Sequence, residues 1–285
     1  MKVLIGIPEM KAAVLALKAR GKTIGLIPTM GFLHEGHLSL VRESRRRCDA
    51  TVVSIFVNPV QFGPKEDFVR YPKDFERDRA MLADEGADIL FYPDAGAMYP
   101  EGYKTYVEVI DFQERLCGKS RPGHFRGVCT VVLKLFNIVL PDLAFFGQKD
   151  AQQAIILKKM AGDLNLDVKI EAMPIVREAD GLAMSSRNIY LSAEERKAAP
   201  ILFSSLREAR SIFEKGERRA GILIGRMKAF IAAEPLARLD YVEIVNPRTL
   251  APLEEINEEA LMAMAVFVGE TRLIDNTVVG GERKD

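Results

Sequence analysis

The sequence predicts an α/β protein, a parallel sheet with crossover helices followed by a smaller α+β unit. Two observations carry this expectation. Short apolar runs rich in β-branched and aromatic residues alternate with helical patterns as far as about residue 188, at the spacing of strands joined by crossover helices. Beyond that point the texture changes to long helical segments followed by three closely spaced strand-like runs.

The first strand of the argument is Thr23–Ile27, followed by a glycine-containing turn and a helical run, Leu38–Arg47. Thr51–Val57 reads as the next strand, Asp74–Glu85 as a helix and Asp88–Tyr92 as a strand. Leu143–Phe146, the helical segment Asp150–Leu164 and the strand Val168–Pro174 repeat the pattern. Ligands of such sheets bind beyond the carboxyl ends of the strands. Pro28-Thr29-Met30, Asn58-Pro59-Val60-Gln61 and Gly147-Gln148-Lys149-Asp150 each follow a strand directly, so all three should lie at one rim. In the second unit, Ser192 with Glu195 forms the signature of a capping box, opening a helix expected from Ala193 to Lys215. A helix over Ala220–Glu234 and strands at Tyr241–Val245, Met262–Val268 and Arg272–Asn276 complete it. The junction is expected near Ser186–Leu191, dividing residues 1–186 from a C-terminal lid of residues 187–285. There are no internal repeats and no low-complexity linker.

Composition excludes several classes of function. The chain has 285 residues, with 40 Lys+Arg balanced by 40 Asp+Glu. A net charge of zero offers no global attraction for nucleic acid or an anionic membrane, so any polyanion must be small and met by a local site. The most apolar stretch, Val131 to Phe146, is interrupted by Lys134, Asn137, Pro141 and Asp142 and does not read as a membrane span. The N-terminal residues carry no secretory pattern. The three cysteines, Cys48, Cys117 and Cys129, form no C-x-x-C. A reducing compartment, the cytoplasm, is the expectation.

Four constellations carry chemistry. His34 and His37 lie three residues apart, bracketed by Gly31 and Gly36, at the start of the Leu38–Arg47 helix. Helix N-termini present unpaired N–H groups and partial positive charge, and glycine lets a ligand approach the backbone. A phosphate site is therefore favoured over two other readings, a capping pair and a metal site. Zinc would need a third ligand, for which His124 is the only remaining histidine. Lys149, at a strand end before a helix, can reach phosphate oxygens, with Asp150 as a candidate N-cap and Gln153 one turn later. Ser185-Ser186-Arg187 supplies two hydroxyls and a guanidinium at the domain junction; alone it reads more readily as a turn and helix start. Asn58 and Gln61 are neutral donor–acceptors suited to a small hydroxylated substrate, and read equally as a polar turn. Cys117-Gly118-Lys119-Ser120 imitates the end of a P-loop, but position 113 is Gln113 where the first glycine is required. No nucleophile elbow and no G-x-G-x-x-G after the first strand is present. The chain reads as one built to position and neutralise phosphates.

Taken together, these motifs resemble the pantothenate synthetase (pantoate–β-alanine ligase) family. The resemblance rests on Pro28–Leu38, Phe56–Phe62, Arg121–Phe125, Phe146–Asp150, Asp180–Asn188 and Arg272–Asn276, in family order over nearly the whole chain. It implies a Rossmann-like nucleotidyltransferase fold, with His-Glu-Gly-His similar to the HIGH motif of class I aminoacyl-tRNA synthetases and Met-Ser-Ser-Arg similar to their KMSKS loop. It further implies ATP- and Mg²⁺-dependent condensation of (R)-pantoate with β-alanine through pantoyl adenylate, and a homodimer formed through the nucleotide-binding domain. ATP is expected along Met30, Gly31, Phe32, Leu33, His34, Glu35, Gly36 and His37. Further contacts are expected at Gly147, Gln148, Lys149, Asp150 and Val176, and at Met184, Ser185, Ser186 and Arg187. His37, His34 and Lys149 take the catalytic roles by this resemblance, His37 as proton donor, with pantoate on Gln61 and Gln153 and Asn58 as their neighbour. No protein ligand for Mg²⁺ is assigned. Cys117 and Gln148 stand where the family commonly carries glutamate. Two other readings compete: a different nucleotidyltransferase acting on a phosphorylated acceptor, and a zinc hydrolase using His34, His37 and His124.

Overall fold

The computed structural model describes residues 1–64 and 66–281. Its first part runs β1 (Lys2–Leu4), α1 (Ile7–Lys18), β2 (Ile24–Thr29), α2 (Glu35–Arg47), β3 (Ala50–Ile55), α3 (Phe75–Asp84), β4 (Ile89–Phe91) and α4 (Ala95–Met98). It continues with α5 (Cys117–Ser120), α6 (His124–Val139), β5 (Leu143–Gly147), α7 (Ala151–Asp163) and β6 (Lys169–Met173). The six strands form one sheet in the order β1-β4-β3-β2-β5-β6, and every pairing is parallel. Both faces of such a sheet are covered by helices, so its strands read as continuous apolar runs; all six residues of β3 are buried.

The strand order locates the site. From β2 the chain winds outward through β3 to β4, then returns to place β5 on the other side of β2. The winding direction therefore reverses between β2 and β5, and the crevice beyond their carboxyl ends is the ligand position in doubly wound sheets. The turns at Met30–His34 and Gly147–Asp150 open onto this crevice.

The second part contains α8 (Ala193–Ala198), α9 (Ile201–Glu214), α10 (Ala220–Ala232), β7 (Ala237–Val245), β8 (Ala260–Val268) and β9 (Thr271–Val279). The strands form an antiparallel sheet in the order β7-β8-β9. Alternation along β8 sends Leu261 and Ala263 into the core shared with α6 and α7. Met262, Met264 and Val266 face the core beneath α9 and α10. A central strand buried on both faces ties the small sheet to the large one.

Three departures from expectation have physical causes. The helix expected over Ala193–Lys215 is two helices, because Pro200 has no N–H for the ladder and its ring crowds the preceding turn. The capping box at its start is present, with Ser192 N–H donating to the Glu195 carboxylate at 2.8 Å. The helix α6 falls partly within the apolar stretch that begins at Val131. Most of its residues are buried, although its apolar side chains do keep the 3.6-residue period of a helix. Asp150 does stand at the N-cap position of α7, but its side chain makes no capping hydrogen bond.

Candidate active site

The loop after β2 turns through left-handed backbone at Gly31 (φ +85°) and Phe32 (φ +51°). A Cβ at Gly31 would meet Ile55 at 3.0 Å and the Asp78 carboxylate at 3.1 Å, so glycine is required twice over. Asp78, 1% exposed, accepts from the N–H groups of Phe32 at 2.7 Å and Leu33 at 2.8 Å. Arg77 donates to the Leu33 carbonyl at 2.9 Å and lies over the Phe32 ring. Helix α3 thus grips the loop by both edges of its peptides. Burial pushes the Asp78 carboxyl above the usual carboxylate range.

His34 follows in extended conformation at the N-cap of α2. Its carbonyl accepts from the N–H groups of His37 and Leu38 at 2.8 and 3.2 Å. His37 Nδ1 accepts from the His34 N–H at 3.3 Å, which leaves the ring proton of neutral His37 on Nε2. The two rings lie 4.1 Å apart, and a Cβ at Gly36 would come within 3.0 Å of the His34 ring. Burial, then the Lys149 ammonium, lowers the His34 pKa to about 4. Burial, the neighbouring His34 and Lys149 lower His37 well below its ordinary value. Both imidazoles are neutral donors or acceptors at pH 7. His34 Nδ1 is buried without a partner among the described residues, as expected of an atom meant for a ligand.

Lys149 stands in the turn after β5, with Nζ 3.7 Å from the Asp150 carboxylate. On the opposite wall, Asn58 is 1% exposed, and its amide donates to Gln61 Oε1 at 3.0 Å and the Gly127 carbonyl at 3.1 Å. The bond from Asn58 directs Gln61 Nε2 into the cleft, toward Met30 Sδ at 3.2 Å. A Cβ at Gly127 would meet Val60 O and Gln61 Cα at 2.6 Å, so α6 can support this turn only through glycine. His124 donates from Nδ1 to the Gln61 carbonyl at 2.8 Å, and its Nε2 takes Arg121 at 3.0 Å. Burial, then the Arg121 guanidinium, lowers its pKa to about 3. Both ring nitrogens are committed there, away from any role as third ligand to His34 and His37. Among the described residues no group of three or more His, Cys, Asp or Glu could hold a metal.

The three strand-end motifs do converge. Met30, His34, Gly36, His37, Asn58 and Gln61 line one cleft of about 210 Å³. Gly147, Lys149, Asp150 and Gln153 line its other side, closed by Val176, Met184, Ser185, Ser186 and Arg187. An adjoining cavity of about 330 Å³ shares Arg121, His124, Lys149, Asp150 and Gln153. Gly31, Phe32, Leu33, Glu35 and Gln148 do not line the cleft. Gly31, Phe32 and Leu33 shape the loop behind it, Glu35 pairs with Arg42, and Gln148 Nε2 donates to Asn276 at 3.3 Å. Ser186 donates to the Phe32 carbonyl at 3.1 Å, Ser185 Oγ accepts the Arg187 N–H at 3.3 Å, and Arg187 makes a two-pronged pair with Asp67 at 2.8–2.9 Å. Cys117, in place of the expected glutamate, lies 3.2 Å from the Tyr241 hydroxyl and 3.6 Å from Arg272, whose carboxylate partner is Asp240 at 2.7 Å.

Fold and site together define an α/β enzyme with an anion-receiving cleft at the carboxyl rim of its parallel sheet. The profile of the pantoate-beta-alanine ligase family matches residues 2–278, and the chain belongs to that family. Pantothenate synthetase of Pelotomaculum thermopropionicum is 57% identical over 96% of this chain and 97% of its own. That of Caldicellulosiruptor saccharolyticus is 58% identical over 97% and 99%. Among solved structures, pantothenate synthetase from Thermus thermophilus superposes with a TM-score of 0.94 at 44% identity, covering 99% of this chain and 100% of that one. A pantoate-beta-alanine ligase from Francisella tularensis, complexed with beta-gamma ATP and beta-alanine, gives 0.80 at 32% identity over 98% and 97%.

Proposed function

We propose that this enzyme condenses (R)-pantoate with β-alanine at the expense of ATP, yielding pantothenate, AMP and pyrophosphate on the route to coenzyme A. The observation that carries the reading is the convergence of His34, His37 and Lys149 with Gln61 and Gln153 in one cleft. In the first half-reaction a pantoate carboxylate oxygen attacks the α-phosphorus, a C(O)O–P bond forms and pyrophosphate leaves. Charge grows on the α-phosphate, and fixed donors there lower the barrier most. Lys149 contributes a point charge, and His37 Nε2 a neutral N–H donor in a dry setting. Burial, which lowers the His37 pKa, supports reading it as an electrostatic stabiliser rather than an acid. In the second half-reaction the β-alanine amine attacks the acyl carbonyl, the amide forms and AMP leaves.

Gln61, its Oε1 held by Asn58, offers Nε2 to pantoate, with Gln153 across the cleft. Asn58 is a positioning residue for Gln61. ATP lies along the Met30–His37 loop, Gly147–Asp150, Val176 and Met184–Arg187. Arg187 exchanges Asp67 for phosphate oxygens when ATP arrives, joined by Ser185 and Ser186. Bound Mg²⁺ would be held chiefly by the phosphates, as is usual for this ion, and would screen their charge. Asp150, the one carboxylate lining the cleft among the described residues, suits a single protein ligand.

Residues 1–186 bind nucleotide and pantoate and residues 187–285 cover them, a division supported by the separate sheets. The enzyme is cytoplasmic, in keeping with three free thiols, and no helix among the described residues is long and apolar enough to cross a membrane. It is a homodimer, a reading supported by the segment 104–110, which belongs to neither sheet and exposes Tyr106 and Ile110. The decisive assay is pyrophosphate release. ATP with pantoate alone should give at most a burst equal to the enzyme present, and β-alanine should permit turnover. Failure to form pantothenate from the three substrates overturns the assignment.

A further inference from the structure

The C-terminal motif Arg272–Asn276 lies on β9, in the small sheet, yet two of its residues reach the turns that face the cleft. Asn276 is 3% exposed. Its amide nitrogen donates to the carbonyls of Gln148 and Lys149, both at 2.9 Å, and its oxygen accepts from Gln148 Nε2 at 3.3 Å. Three of the four hydrogen bonds open to one buried amide are spent on the turn that carries Lys149. Asp275, also 3% exposed, takes a two-pronged contact from Arg177 at 2.7 and 2.9 Å. Arg177 in turn donates to the Gly181 carbonyl at 3.0 Å. It thereby closes a small hairpin in which Arg177 bridges Ala183 and Met184 N–H donates to the Val176 carbonyl at 3.0 Å. The two ends of that hairpin, Val176 and Met184, line the cleft.

Two adjacent residues of one strand therefore hold two separate cleft-lining turns. Asp275 Oδ1 also accepts from the Asn276 N–H at 2.7 Å, which stiffens the dipeptide itself. We propose that Asp275 and Asn276 are positioning residues for adenylate formation, Asn276 acting through Lys149 and Asp275 through the Val176–Met184 hairpin. The inference rests on the reading of Lys149 as a phosphate-binding residue. The small sheet is then a working part of the catalytic site. Geometry of this kind matters because displacing a reacting group by about 1 Å can cost roughly a hundredfold in rate.

The test is a double-mutant cycle on the full-length enzyme, read by pantoate-dependent exchange of labelled pyrophosphate into ATP. Asn276→Asp keeps the shape but loses both N–H donors and turns a carboxylate toward two carbonyls. Exchange should fall about tenfold or more, with KM for β-alanine in the full reaction unchanged. Combined with Lys149→Ala, it should cost almost nothing further, because its effect passes through Lys149. Independent, multiplying losses would overturn the proposal. If Asn276→Asp does not fold by circular dichroism, Asn276→Ser, which retains one donor, takes its place in the cycle. For Asp275, Asp275→Asn should raise KM for ATP, and Asp275→Glu should restore part of it; an unchanged KM removes Asp275 from this role. Absence of exchange in the wild-type enzyme would strike the proposed function itself, whereas additive losses in an active enzyme strike only this inference.

Discussion

The most telling residue is His37, because two independent observations fix its chemical state. Its Nδ1 accepts a backbone N–H, and burial beside His34 and Lys149 holds it unprotonated. These features favour a directed, uncharged donor at Nε2 as its proposed role over the proton donor that the family resemblance implies. His37→Ala should lower the rate of adenylate formation about 10²–10³-fold, as loss of one transition-state donor does, while far-ultraviolet circular dichroism stays that of the parent. A near-parental exchange rate would remove the histidine from the chemistry. An unfolded variant would mean that its bond to the His34 backbone is structural. These cleft-lining residues were legible in the sequence because turn chemistry and residue type coincide at positions 34, 37 and 149. The supporting contacts of Asp78, Asp67 and Asn276 were not, although Asn276 itself falls in a motif of the family resemblance. Each acts through a partner 46, 120 or 127–128 residues away, and nothing in local spacing records such a contact.

At the scale of elements, legibility followed exposure of a pattern. Strands buried on both faces showed as apolar runs between turns, and the capping box at Ser192 announced its helix. Pro200 also stood in plain view, and its effect is that of a residue without an N–H. The segment 104–110 is a different case, a stretch outside helix and strand that ends in a turn at Ile110. Tyr106 and Ile110 are 43% and 76% exposed, while Val109 between them is buried. Val107 N–H donates to the Thr130 hydroxyl at 3.1 Å, and no backbone ladder among the described residues covers the rest. Exposed apolar side chains of this kind offer a surface to another chain. The element predicts a dimer in which two copies of the segment meet, with a mass near twice 31.8 kDa. Ile110→Lys should shift sedimentation toward the single-chain mass without loss of secondary structure. Parental sedimentation of that variant would place the contact elsewhere, and a wild-type monomer would end the dimer reading.

For the molecule as a whole, the distribution of histidine has a consequence for acid stability. The chain has only three, and all line the same cleft. All are depressed in the folded state, His34 to about 4, His124 to about 3 and His37 well below 6.5. Between about pH 6.5 and 4 the unfolded chain therefore binds up to three protons that the folded chain refuses. Stability is then complete above pH 6.5 and is lost as pH falls. Each proton contributes a slope of about 1.4 kcal/mol per pH unit, so three give about 4 near pH 5, before carboxylates with lowered values add to it. Urea unfolding at pH 7, 6 and 5 should show this steepening, and His124→Gln should remove about one-third of it. Stability that stays level down to pH 5, or a variant with the parental slope, would show that the cleft admits the protons after all. The neutral state assigned to His34 and His37 would fall with it, so a measurement on folding bears directly on the electrostatics of catalysis.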